Sequence, residues 1–441
     1  MAGMNHVRLD AVPDDASAVT RDSHGLPPDD RSSPPMAGST FRYACVLGLL
    51  TASGALGIDT YLPAFPDIAR GYGVGEDRVQ LSLVSYFVAL AAGQMIYGPV
   101  SDRVGRRLPL LAGFALFVVA SFAAAVATSI EMLIVVRFVQ GLGACAGMVI
   151  PRAIVRDLRS GEEAARLFAL MLLVLGVSPI LAPLLGSLLL AYLPWQAAFW
   201  FLGGFGLCCI ALILFLLEET HPPDRRQGVG LVSAFMAYRG LLGDRGFLLT
   251  VLVGGCSQAV VFAYLAGSPF IYITLHAVPP AAYSLLFALN AIGLIGMAQL
   301  NVRFIRRLGA TRLILMASTV QTAAAGALLA ASLVHVDSVP VIASCLFFCV
   351  GAQGLVGPPT AMLALEDNAA IAGSASSLMG AIQFACGAVS GSLVSLFFNG
   401  TSVPFAAVIA GCAVSGLVCA ILVRRRDREG ITTVAHAPAA P

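Results

Sequence analysis

Residues 80–128 read QLSLVSYFVALAAGQMIYGPVSDRVGRRLPLLAGFALFVVASFAAAVAT. Two runs without a charge, 80–100 and 108–128, flank a short joint, Ser101 to Arg107, that holds one acid and three arginines. As a helix, each run rises about 30 Å, the thickness of the hydrocarbon core of a bilayer. Neither run alternates apolar with polar residues, as a strand of a membrane barrel would. The pair reads as two membrane-crossing helices joined by a tight basic turn.

Working outward, the same alternation fills the chain. Of its 441 residues, 58% are hydrophobic and 11% charged, against about 25% charged in an ordinary soluble domain. A mean hydropathy of +0.87 excludes a water-soluble fold, because no core of this size could hide so much apolar surface. Twelve spans are expected, near 43–65, 80–100, 108–128, 132–151, 165–191, 197–217, 247–273, 281–301, 312–334, 339–362, 372–398 and 403–423. The ten cysteines fall inside these spans, where a thiol behaves as a small hydrophobe, so neither a disulfide frame nor a zinc cluster is implied. The six histidines are scattered, and no metal site is expected. Residues 1–41, rich in Asp, Pro and Ser, lack the apolar core of a signal peptide and read as a disordered tail. Met36 is a candidate alternative start.

All 26 basic residues are arginines, and they are placed one-sidedly. They crowd the two tails and the connections after spans 2, 4, 6 and 8. Arg70 and Arg78 stand in the first connection, and Arg137 lies inside span 4. Short arginine-rich loops stay in the cytoplasm, which places both termini there. Tyr192 and Trp195 suit an aromatic belt on the outer side. The longest internal connection, 218–246, divides the chain into 42–217 and 247–424, six spans each, followed by a tail at 425–441. An offset near 203 sets Tyr61, Leu62 and Pro66 on Tyr264, Leu265 and Pro269, and 208 sets Gly143, Ala144 and Pro151 on Gly351, Ala352 and Pro359. The basic run Arg103–Arg107 meets Arg303–Arg307. A duplicated six-helix bundle accounts for these matches, an arrangement common in secondary transporters.

Four stretches carry residues that apolar packing does not explain. The joint Gly98-Pro99-Val100-Ser101-Asp102-Arg103-Val104-Gly105-Arg106-Arg107 needs its arginines as a positive-inside anchor and Gly105 as a turn, but neither role requires Asp102. That carboxylate can pair with the arginines or cap a neighbouring helix, and such a network can hold a gate. In span 4, Arg137-Phe138-Val139-Gln140-Gly141-Leu142-Gly143 combines close-packing glycines with a buried cation. A cation there costs about 2.5–3.5 kcal/mol on insertion scales, so it needs a partner or a cavity. Span 5 holds Gly176, Pro179, Pro183 and Gly186 within a few turns, tolerable only where neighbours satisfy the freed carbonyls. Span 1 ends Gly57-Ile58-Asp59-Thr60-Tyr61-Leu62-Pro63-Ala64-Phe65-Pro66, with Asp59 its one carboxylate. With span 1 leaving the bilayer near Phe65, Asp59 lies on the order of 9 Å below the outer face, close to the depth of Arg137. An acid snorkelling to the interface is the alternative reading of Asp59.

The joint after span 2 resembles the signature of the major facilitator superfamily, with Val100 where that pattern has Leu. The span-4 stretch is similar to the same family, and spans 1 and 5 resemble its bicyclomycin and chloramphenicol resistance branch. In span 5, Ala182-Pro183 and Gly186-Ser187 depart from the usual Gly-Pro and Gly-Gly. The resemblance covers about residues 42–424. It implies an all-α fold of twelve transmembrane helices in two six-helix pseudo-repeats. The activity implied is proton-coupled export of small hydrophobic compounds or antibiotics by alternating access. Asp59 and Arg137 would serve coupling, with Tyr61, Gln140, Gln258, Tyr264, Asn290, Gln353 and Gln383 as candidate cavity residues. The expected partners are a small-molecule substrate, protons and the lipid bilayer of a bacterial inner membrane. No nucleic acid or cofactor is called for, and a monomer is expected. An uptake symporter of the same fold and a non-transporting scaffold are the alternatives. A membrane enzyme would need a clustered catalytic set that the loops lack.

Overall fold

The computed structural model describes residues 37–225, 231–366, 368 and 371–435. The expected disordered stretch before residue 37, Met36 included, lies outside these, as do 226–230 of the central connection and the last residues of the C-tail. Among the described residues every regular element is helical: α1 (Ala37–Asp59), α2 (Phe65–Tyr72), α3 (Glu76–Val104), α4 (Arg107–Ala125), α5 (Ile130–Leu158), α6 (Gly161–Tyr192) and α7 (Gln196–Leu216) precede the central connection. After it come α8 (Leu231–Gly243), α9 (Arg245–Pro269), α10 (Pro280–Leu308), α11 (Ala310–Leu333), α12 (Val339–Glu366), α13 (Ala372–Leu396) and α14 (Val403–Ala435). Twelve segments of these are long and apolar enough to cross a membrane.

Several helices overrun their apolar spans because polar residues cap them. Glu76 and Asp77 occupy the first turn of α3, where carboxylates complement the helix dipole. Ser129 accepts from the Met132 amide, 3.2 Å, at the start of α5, and Asp244 from the Gly246 amide, 2.8 Å, at the start of α9. α14 continues past Arg424 to Ala435, through much of the expected tail. The first span does not end near Phe65 as reckoned. The chain turns through a single 3-10 turn, Leu62–Ala64, and continues as α2, leaving Phe65 fully buried. Trp195 likewise departs from the belt expectation, packing inward on Tyr72 and Phe199, whereas Tyr192 is exposed.

α1 packs on α5 and α6, α3 on α5, and α4 on α5 and α7, which makes the first bundle. α9 packs on α12, α13 and α14, α10 on α12, and α11 on α12 and α14, which makes the second. The bundles meet along α3 against α13 and α6 against α10. Backbone shape marks the repeat: Gly105 between α3 and α4 has φ 97°, and Gly309 between α10 and α11 has φ 77°, both in the region that favours glycine. These turns pair Gly105 with Gly309, so Arg103 corresponds to Arg307. The expected match of Arg103–Arg107 with Arg303–Arg307 is therefore out by one helical turn. Arginines recurring every three or four residues fit several registers, and only the turn fixes one.

The central connection is not only loop. Leu231, Phe235, Tyr238, Leu241 and Leu242 recur at helical spacing in α8, and Tyr238 and Leu241 bury against Leu378 and Phe247 of the second bundle. The Tyr238 hydroxyl donates to the Met95 carbonyl, 3.3 Å, so α8 bridges the two halves.

Candidate functional site

The end of α1 is built by its prolines. Pro63 has no N–H for the carbonyl of Asp59, and Pro66 has none for that of Leu62, so the α-helix stops and the 3-10 turn takes over. Gly186 of α6 packs against this break: a Cβ there would stand 1.9 Å from the Thr60 carbonyl oxygen. Asp59 is left at the break, 4% exposed. Among the described residues its carboxyl has no hydrogen bond and no ion pair.

Arg137 is fully buried two turns into α5. Its guanidinium lies over the rings of Tyr61 and Tyr86, 4.2 Å from each centroid, a cation–π cradle made by the α1 break and α3. It donates to Gln140 Oε1, 2.5 Å; the Gln140 amide in turn donates to Ser121 Oγ, 2.7 Å. Gln140, expected to face the cavity, instead ties Arg137 to α4. The Nε and one terminal nitrogen of Arg137 have no hydrogen-bond partner beyond the ring faces. A buried guanidinium with idle N–H groups is a costly arrangement unless another state satisfies them.

The second bundle answers with uncharged groups. Tyr264 of α9 accepts from Asn290, 3.0 Å, and stacks on Phe287. Tyr283 shares a hydrogen bond with Ser268, 3.1 Å. The turn Leu62–Ala64 that follows Asp59 packs against α9 and α10, so the α1 break borders both halves. Gln353 donates to Gln258, 2.7 Å, and Gln383 lies beside Gly254. Phe87 stacks on Phe262 across the halves, 4.3 Å between centroids. In α6, which stays one helix through both prolines, the Pro183 carbonyl accepts from Ser284 of α10, 2.8 Å, and Gly176 faces Ile295. Pro179 lies on the same helix one turn before Pro183.

At the arginine-rich end, burial inverts the expectation for the joint after α3. The Arg106 side chain is 6% exposed and the Asp102 side chain 56%, so the cation is the hub. Arg106 pairs with Asp102, donates to Ser101 Oγ at 2.9 Å, and pairs with Asp157 at the end of α5, 2.8 Å. Glu219 from the central connection accepts from the amides of Arg106 and Arg107, 2.9 and 3.1 Å, capping α4. Arg107 reaches the Leu214 carbonyl, 2.8 Å. The network joins α3, α4, α5 and α7 within one half. Gly98 makes the contact to the other half, facing Ser377 of α13 at 3.1 Å from where a Cβ would stand. Arg103 is outside this network. Asp157, Glu219, Tyr86, Ser121 and Tyr283 escaped the reading of the sequence. A tyrosine amid the uncharged run of α3 was a usable signal for Tyr86, while the acids stand far along the chain from the arginines they hold. Among the described residues no group of His, Cys, Asp and Glu is arranged to hold a metal ion.

The sequence model of the Major Facilitator Superfamily matches residues 47–392. An uncharacterized MFS-type transporter of Bacillus subtilis, YdgK, is 35% identical over 85% of this chain and 93% of its own. A bicyclomycin resistance protein homolog of Haemophilus influenzae is 28% identical over 88% of this chain and 98% of its own. The xylose transporter XylE of E. coli, in a partially occluded inward-open conformation, superposes with a TM-score of 0.69 at 13% identity, over 88% of this chain and 98% of that one. Twelve membrane-length helices in two matching bundles and a family match across most of the length lead to one conclusion: the chain is a membrane transporter belonging to the major facilitator superfamily.

Proposed function

We propose that the protein is a proton-coupled exporter of small hydrophobic compounds, antibiotics included, acting as a monomer in the bacterial inner membrane with both termini cytoplasmic. The arginine-rich loops support the orientation, and the likeness to a bicyclomycin resistance homolog supports the substrate class. The observation that carries the reading is the pair of incomplete buried groups at the α1 break: the Asp59 carboxyl without a partner, and Arg137 with two idle nitrogens. Each is costly alone, and each cost falls if they pair. A proton on Asp59 is the other remedy. Alternation between the two as the halves rock about the α3–α13 and α6–α10 seams moves one proton-binding site through the cycle. The surrounding Tyr264, Tyr283 and Phe262 offer flat apolar faces with few hydrogen-bond groups, which suits hydrophobic cargo.

The test is transport in inside-out vesicles under an imposed proton gradient, after a susceptibility panel in an efflux-deficient host has named a substrate. Asp59→Asn should reduce uphill export to the level of empty vesicles while leaving substrate binding that no longer varies with pH. Full export and undiminished proton exchange in that variant would return Asp59 to an interfacial acid. Proton-driven accumulation inside whole cells would establish the uptake symporter instead.

A further inference from the structure

An apolar cleft of about 230 Å³ opens between α10, α11 and α12, lined by Met297, Phe304, Leu308, Leu313, Val320 and Phe348 among others. Val320 and Phe348 are exposed at its rim, so it faces the bilayer and not the interior of the bundle. Its apolar character alone would not distinguish it from any lipid-facing surface. Its arginine-rich end does. Three lining residues there directly follow an arginine: Phe304 follows Arg303, Leu308 follows Arg307, and Leu313 follows Arg312. Gly309, with φ 77°, makes the turn between Arg307 of α10 and Arg312 of α11. All three arginines are exposed, and among the described residues none is in an ion pair. Asp427 of α14 accepts from the Thr311 hydroxyl, 3.1 Å.

We propose that this cleft holds an acyl chain of an anionic phospholipid whose phosphate is received by Arg303, Arg307 and Arg312. Apolar lining and cationic mouth match the two ends of one molecule, and guanidinium groups suit phosphate through paired N–H donors. The equivalent turn in the first half offers no such site: at the register set by the two glycines, Pro99 and Leu108 stand where the second half has Arg303 and Arg312, and only Arg103 matches an arginine, Arg307. Lipid held here would fix the α10–α11 corner of the second bundle to the leaflet at the arginine-rich end.

The experiment uses the full chain in nanodiscs of phosphatidylcholine and phosphatidylglycerol in equal amounts, with a spin label on one lipid at a time. Electron paramagnetic resonance then reads the fraction of each lipid immobilised by the protein. The wild type should immobilise phosphatidylglycerol in preference to phosphatidylcholine, by about fivefold for each arginine engaged. The double variant Arg307→Gln/Arg312→Gln should lower that preference by about tenfold or more. Gly351→Leu should empty the cleft of both lipids, since a Cβ at Gly351 meets nothing nearer than 3.9 Å and its side chain has only the cleft to fill. Equal immobilisation of the two lipids by the wild type would mean an ordinary lipid annulus and overturn the proposal without any variant. A preference that survives the arginine substitutions or the filled cleft would overturn it as well.

Discussion

The turns at Gly105 and Gly309 have the same backbone shape and opposite electrostatics. Around Gly105, Asp102 and Asp157 neutralise Arg106, and Glu219 caps the helix that follows. Around Gly309, the position of Asp102 is Arg306 and that of Arg106 is Ala310, so the charges stay free. The bundle cores differ in the same sense: the first holds Asp59 and Arg137, while at the offsets read from the sequence the second has Phe262 and Cys345. The duplication therefore supplies a scaffold, and each half uses it for different chemistry. In the first half charge is turned inward, with Asp59 and Arg137 buried in the bundle. In the second it is turned outward, with Arg303, Arg307 and Arg312 exposed.

The sharpest way to break this comparison is to substitute its two cores alike. Arg137→Ala should abolish transport while the protein still inserts, and Cys345→Ala at the matching position should leave transport near wild type. Equal losses in a vesicle transport assay would erase the asymmetry. Next in size is Gly186→Ala, which sets a Cβ against the Thr60 backbone and should cost about 3 kcal/mol or displace the α1 break, read as thermal unfolding in detergent together with substrate binding.

Arg106→Gln removes the hub from two acids and should cost about 2 kcal/mol, whereas Arg307→Gln, with no ion pair to lose, should stay within about 0.5 kcal/mol. Thermal shifts of similar size for the two would show that the turns are not electrostatically distinct. Gly105→Ala and Gly309→Ala should each cost about 1–2 kcal/mol, because both force an alanine to positive φ. Here the comparison predicts equality, and a difference beyond about 1 kcal/mol would break the backbone match. The smallest effect belongs to Asp102→Asn: with an exposed side chain, it should lower the melting temperature less than Arg106→Gln does, while shifting cysteine accessibility at the arginine-rich end.

The number of spans, the basic loops and the positions of Asp59 and Arg137 were legible because each rests on a local property, either an apolar run of bilayer length or a charge with no apolar reason to be where it is. α8 was not, since thirteen residues of helical periodicity inside a polar connection look like loop until their apolar face finds Leu378 and Phe247. Helix ends slipped for a related reason: capping acids such as Glu76 extend a helix beyond the apolar run that announces it. The register of the basic runs slipped because charge spacing repeats and backbone shape does not.

Membrane insertion, twelve crossings and a charged first half follow from the sequence by itself, because transfer from water to hydrocarbon is additive along the chain and needs no knowledge of neighbours. Which group is buried and what it touches is decided by packing. Asp102 and Arg106 lie four residues apart on the chain, yet the fold exposes the acid and buries the base. Arg137 rests on Tyr61 and Tyr86 because the Pro63 break delivers one ring and α3 the other. Such contacts depend on distance in space between segments remote along the chain, a quantity that no local pattern of residue types contains.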